Sequence, residues 1–166
     1  YLKTKKKLPV YADRSTKKQL ISTFNYCFKS KTGYPAILKM NNLKKKYSFQ
    51  NKNEKILIEV IMTDHGPIKT ASYLINKKIF YGSDVSNIDK KDFKKLKKLN
   101  YFVIDCLREE SHISHFNLEK VLELVKILKP KKTILTNLMS SMDYSTLKRK
   151  LPKNITPAYD GLSFLF

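Results

Sequence analysis

An α/β fold, with helices laid on a sheet, follows from three features of this 166-residue chain. Short apolar runs such as Ile56–Met62 and Tyr101–Ile104 recur along it. Segments with apolar residues at helical spacing lie between those runs. The 42% apolar content is enough for a core, which excludes wholesale disorder. Strands interleaved with helices define the class.

The elements follow in chain order. Leu8–Ala12 reads as a short strand. A helix comes next, capped by Asp13 or Ser15, with Leu20, Ile21 and Phe24 at helical spacing. Residues 29–54 are polar, with a turn at Gly33-Tyr34-Pro35 and a strand expected only at Ala36–Leu38. Ile56–Met62 is expected as a buried strand. Ala71–Ile75 and Lys78–Tyr81 form a hairpin through Asn76-Lys77. A helix over Lys90–Lys98 puts Phe93, Leu96 and Leu99 on one face and lysines on the other. Tyr101–Ile104 is a strand ending at Asp105. Leu118–Leu128 carries the clearest apolar stripe, with Asn117 as its cap and Pro130 beyond its end. A strand at Thr133–Thr136, a helix near Tyr144–Lys150 and a closing strand at Leu162–Phe166 complete the chain.

Charge is the dominant compositional signal. Thirty-four Lys and Arg oppose 14 acids, a net charge of +20. Such a surface attracts phosphate backbones and anionic headgroups. Arg, however, occurs only at 14, 108 and 149, so 34 − 3 leaves 31 Lys. Readers of nucleic acid favour the bidentate Arg fork, whereas a lysine coat also serves any solvated face. No apolar run reaches the ~20 residues of a spanning helix, so a membrane helix is not expected. Cys27 and Cys106 both read as small core residues, consistent with a reducing, cytoplasmic setting rather than a disulfide scaffold.

The ionisable residues fall at strand ends. His65 follows the run at 56–62, Asp84 follows the hairpin, and Asp105 with His112 and His115 follows the strand at 101–104. Thr136-Asn137 follows the strand at 133–135. Strand ends feeding loops are where α/β sheets assemble sites. Imidazole with carboxylate suits a zinc- or manganese-type ion, and a histidine beside such an ion can protonate a leaving oxygen. Blander roles stay open at this stage: a turn cap for Asp84, a strand-end cap for Asp105, and a surface position for any one histidine.

The order of these pieces is the specific signal. His65-Gly66, Ser83-Asp84, Asp105-Cys106-Leu107-Arg108, Ser114-His115, Leu135-Thr136-Asn137 and Ala158-Tyr159-Asp160-Gly161 together resemble the metallo-β-lactamase superfamily. The branch they resemble is the cyclic-phosphate phosphodiesterase type, related to the tRNA 3′-end endonucleases. The resemblance implies an αββα sandwich, with a mixed sheet and helices packed on it, and one or two Zn or Mn ions at the sheet edge. By that resemblance His65 and Asp84 hold metal, His115 is the general acid, and His112 is a second catalytic candidate. It also implies a small phosphorylated or ester substrate and a possible homodimer.

This sequence departs from the family in two places. The His-x-His-x-Asp-His cluster is absent, and Asn137 stands where the family has a metal histidine; Met139, Ser140 and Ser141 stand where a further histidine is usual. Asn is a neutral, poor zinc ligand. With Tyr1 in place of Met, these departures lead to the expectation that residues 1–166 are one N-terminally truncated domain. The function expected for the full protein is metal-dependent hydrolysis of a phosphodiester or related ester, the segment alone being inactive. The alternatives are a non-catalytic, basic nucleic-acid-binding module and a degenerate scaffold.

Overall fold

A computed structural model of the chain describes residues 4–51 and 54–165, and its internal contacts divide the chain into two compact units, Tyr1–Lys45 and Lys46–Phe166. Among the described residues no helix is long and apolar enough to cross a membrane.

In the first unit, β1 (Leu8–Ala12) pairs in parallel with β2 (Leu38–Asn42), Leu8 opposite Leu38 and Ala12 opposite Asn42. Two helices, α1 (Arg14–Thr23) and α2 (Asn25–Phe28), connect them, as a parallel pair requires a crossover. Asp13 is the cap of α1, its carboxylate accepting from the backbone N–H groups of Ser15 and Thr16. Gly33, at φ +78°, makes the tight turn that bridges Lys31 to Tyr34. The strand expected at 36–38 starts only at Leu38. The reason is local: the Ala36 N–H is engaged by Ser30 Oγ and the Ile37 N–H by the Cys27 carbonyl. Cys27 is half-buried rather than a core residue.

The second unit is built on seven strands that neighbour one another in chain order: β3 (Lys46–Asn51), β4 (Glu54–His65), β5 (Ile68–Ile75), β6 (Ile79–Gly82), β7 (Tyr101–Asp105), β8 (Lys132–Thr136) and β9 (Ile155–Pro157). From β3 to β6 the pairing is antiparallel, and from β6 to β9 parallel. The β5–β6 hairpin turns at Asn76-Lys77, both at positive φ, with the Lys78 N–H donating to the Ile75 carbonyl, the twist that suits flanking strands.

The parallel half needs helices between its strands. The helix after β6 is short: a 3-10 turn at Lys90–Asp92 runs into α3 (Phe93–Leu96), and Lys97 is already extended. The expected helix to Lys98 is cut short by two effects. Lysines at 90, 94 and 98 and at 91 and 95 repel at helical spacing. Lys98, at φ +56°, also donates its N–H to the Leu128 carbonyl, which turns the buried Leu99 toward β7. The helices α4 (Leu118–Leu128) and α5 (Tyr144–Lys150) lie where their patterns predict, capped by Asn117 and Asp143.

The main core joins Phe80, Phe102, Ile104 and Leu135 of the sheet to Leu96, Val121, Leu128 and Leu147 of the helices, with Phe80 and Phe102 stacked at 5.3 Å. On the strands a second cluster gathers Ile79, Val103 and Ile134, against which Leu162 and Phe164 pack. Leu162–Phe166 was expected as the closing strand. Residues 162–165 form no ladder, and Phe166 lies outside the described residues. Their alternation is one of packing only, with the Phe164 ring stacked on Tyr101 at 4.1 Å. The closing strand is β9, whose short Ile-Thr-Pro stretch carries too weak a pattern to read. β3 carries a similarly weak pattern, its apolar residues being only Tyr47 and Phe49 among polar neighbours. β4 is longer than expected and is not buried throughout, since Ile56 and Leu57 are exposed.

Candidate metal centre

Strand direction assembles the site. β4 is antiparallel to β5, and β5 to β6, so β4 runs the same way as β6 and as the parallel β7, β8 and β9. The C-terminal ends of five strands therefore share one sheet edge. His65 ends β4, Ser83-Asp84 follows β6, Asp105 ends β7 and Asn137 follows β8.

His65, Asp84 and His115 converge there, each offering one donor atom within 4.8 Å of the others. The His65 and His115 rings stand edge to face, centroids 4.6 Å apart. Each ring is fixed through Nδ1. In His65 it donates to the Ser114 carbonyl at 2.7 Å, and because a carbonyl only accepts, the proton sits on Nδ1 and Nε2 carries the lone pair. Gly66 makes this approach possible. At φ +58° it follows His65, and a Cβ there would lie 3.1 Å from Ser114 Cβ. In His115, Nδ1 donates to Asp105 Oδ2 at 2.6 Å. This is the arrangement in which an outer carboxylate or carbonyl sets the tautomer of a metal-competent imidazole.

Asp105 has no exposed surface. Its Oδ2 also accepts the Val85 N–H at 2.7 Å, and its Oδ1 is buried without a partner among the described residues. Burial pushes this carboxyl above the ordinary range; the Val85 N–H and the His115 ring pull it back. Asp105 thus orients His115 rather than merely ending a strand. The signal in the sequence was a carboxylate closing the wholly apolar run Tyr-Phe-Val-Ile, where a buried charge demands a partner.

Asp84 is exposed and held at φ +55°, a conformation an ordinary residue adopts at some cost. Thr70 Oγ1 donates to its carbonyl at 3.0 Å. Asn137, itself at φ +60°, donates through Nδ2 to Asp84 Oδ1 and to Ser83 Oγ, both at 3.3 Å. Asn137 therefore positions the carboxylate, a role that its place after a strand did not disclose. His112 lies beside the cluster, its ring centroid 5.1 Å from that of His115. Loss of hydration and the neighbouring Arg108 charge hold it below the usual imidazole range. An open cleft of about 480 Å³ adjoins Asn137, lined also by Tyr159 and Asp160.

The donor set fits a borderline divalent ion: two imidazoles, each with Nδ1 tied back, and one carboxylate. A family model described as a beta-lactamase superfamily domain matches residues 2–136. The chain belongs to the metallo-β-lactamase superfamily. Its seven-stranded mixed sheet and helices match that fold in solved structures. A diphosphatase of the PhnP family is similar at 24% identity and TM-score 0.80, over 95% of this chain and 57% of that one. YhfI from Bacillus subtilis is similar at 15% identity and TM-score 0.68, over 94% and 64%. The short form of human tRNase Z gives 12% and 0.61, over 96% and 66%. The chain thus spans about three-fifths of the length of these metallo-β-lactamase-fold structures. No curated protein matches it.

Proposed function

We propose that the protein is a metal-dependent hydrolase that cleaves a phosphodiester or a related ester. The observation that carries this reading is the convergence of His65, Asp84 and His115 from three separate parts of the chain, with both rings held through Nδ1. The net charge of +20 favours an anionic substrate, and the fold neighbours named a diphosphatase and a tRNase Z support a phosphate-containing one.

In this reading His65 and Asp84 hold a zinc or manganese ion. When bound, such an ion lowers the pKa of a water and neutralises phosphate oxygens. Asn137 fixes the direction of the Asp84 carboxylate. His115 carries the proton for the departing alkoxide on Nε2, and Asp105 stabilises the imidazolium and holds its orientation. An imidazolium cannot ligate metal, so the roles of His65 and His115 are separable by experiment. His65 and Asp84 give two donors, fewer than a three- or four-ligand site needs, and we assign the remaining ligands to polypeptide outside residues 1–166.

The test is hydrolysis of bis(p-nitrophenyl) phosphate by the full-length protein with added Mn²⁺ or Zn²⁺. His115→Ala is expected to lower the rate by about 10²-fold or more while bound metal is retained. His65→Ala and Asp84→Ala are expected to lose metal as well as rate. An undiminished rate in His115→Ala would overturn its assignment.

A further inference from the structure

Three hydroxyls meet between β4 and β5. Thr63 and Thr70 are register partners across the two strands, and Ser72 follows Thr70 on the same face. Thr63 and Ser72 are buried on the core side with Ile61 and Leu74. Thr63 Oγ1 lies 2.9 Å from Ser72 Oγ and 3.1 Å from Thr70 Oγ1. A buried hydroxyl is costly unless it is paired, whereas Val at 63 and Ala at 72 would leave no polar group to satisfy. Core packing alone therefore does not call for hydroxyls here.

The hydrogen bonds run one way. Thr70 Oγ1 lies 3.0 Å from the Asp84 carbonyl, which only accepts, so the single hydroxyl proton of Thr70 points to Asp84. Thr70 Oγ1 then accepts from Thr63, the Thr70 carbonyl at 3.5 Å being the longer alternative for that proton. With its own proton used in this way, Thr63 accepts from Ser72. The order is Ser72 to Thr63 to Thr70 to the Asp84 carbonyl.

The far side of the same peptide group is also held. The Val85 N–H, the other half of the Asp84–Val85 peptide, donates to Asp105 Oδ2 at 2.7 Å. A planar peptide tied through both its C=O and its N–H cannot rotate, which fixes ψ of Asp84. Asp84 stands at φ +55°, a conformation that persists only where the surroundings over-determine it.

From these relationships we infer that Ser72, Thr63 and Thr70 are positioning residues for the metal centre, a one-way chain of hydroxyls that locks the Asp84–Val85 peptide and so keeps the Asp84 carboxylate beside His65 and His115. The inference rests on the hydrolase reading for its metal. It goes beyond that reading by naming residues that act only through Asp84.

The experiment uses the full-length protein and two readouts. Zinc affinity is measured by equilibrium dialysis against buffered Zn²⁺, and hydrogen exchange of the Val85 amide is followed in the metal-free protein. Thr70→Val keeps the branched shape and removes the hydroxyl; zinc affinity is expected to fall about tenfold and the amide to exchange about tenfold faster. Thr70→Ser restores the donor and is expected to keep both values within about twofold of wild type. Thr63→Val is expected to cost about threefold in affinity, and nothing further when combined with Thr70→Val, because its effect passes through Thr70. Ser72→Ala, one step further back, is expected to cost less than Thr63→Val. Unchanged zinc affinity or unchanged exchange in Thr70→Val would overturn the inference. A Thr70→Ser variant no better than Thr70→Val would overturn it too, by making the loss one of packing. So would losses that add in the Thr63→Val/Thr70→Val double variant. Failure of the wild type to bind zinc would instead overturn the hydrolase reading, and the exchange measurement would still decide whether the chain of hydroxyls holds the peptide.

Discussion

His115 Nδ1 donates to Asp105 Oδ2 across 2.6 Å, and Asp105 has no surface exposed to water. A carboxylate so placed cannot turn away, and the ring it holds cannot exchange tautomers freely. Replacing Asp105 by Asn keeps the volume and removes the charge. In the hydrolase reading, Asp105→Asn is expected to lower kcat by about 10- to 100-fold with bound metal retained, measured by steady-state kinetics beside metal analysis. An unchanged kcat would reduce Asp105 to a strand cap.

Asn137 holds Asp84 by an amide N–H at 3.3 Å, and both residues sit at positive φ. Asn137→Ala removes the hydrogen bond and puts a residue less suited to the left-handed region at the same φ. Metal affinity is expected to fall by about tenfold. Equilibrium dialysis against buffered Zn²⁺ would read the change, and equal affinity would show that Asp84 holds its direction unaided.

The two thiols should behave differently. Cys106 has no exposed surface, and burial first, then the neighbouring Asp105 charge, pushes its pKa up to about 12. Cys27 is half-buried. In the native protein at pH 8 a disulfide reagent is expected to modify Cys27 and leave Cys106 intact, while both react after unfolding in guanidinium. Peptide mapping identifies the modified residue.

The cap of α1 makes stability depend on pH. Hydrogen bonds from Thr16 and Ser15 lower the Asp13 pKa from 3.8 to about 2. Because the folded value lies below the unfolded one, the contribution is complete above pH ~4 and disappears as pH falls through the folded value. Asp13→Ala is expected to destabilise α1 by about 1 kcal/mol at pH 7 and by far less at pH 2. Urea unfolding followed by helical circular dichroism at the two pH values tests the sign as well as the size.

The lysine coat should bind RNA weakly and without sequence preference. A net charge of +20 carried by 31 Lys predicts a gel shift at low salt that vanishes at moderate ionic strength. Tight binding that survives 200 mM salt would favour the nucleic-acid module over the hydrolase.

The sequence alone determined those features whose causes lie within a few residues of one another. The apolar stripe and Asn117 cap delimited α4, the alternation and turn residues located the β5–β6 hairpin, and His65, Asp84 and His115 were visible as polar groups in the segments that follow apolar runs. Weak local patterns failed: β3 and β9 draw their stability from neighbouring strands, and residues 162–165 alternate because they pack on Tyr101, not because they join a ladder. Only the tertiary structure decided that β4 and β6 run the same way, which brings residues 65, 84 and 115 to one sheet edge. It also decided the protonation pattern, because the His65 tautomer is set by the Ser114 carbonyl and the Asp84 direction by Asn137. Those partners are distant in sequence, and a hydrogen bond acts only over a few ångströms, so their effect exists only once the sheet has formed.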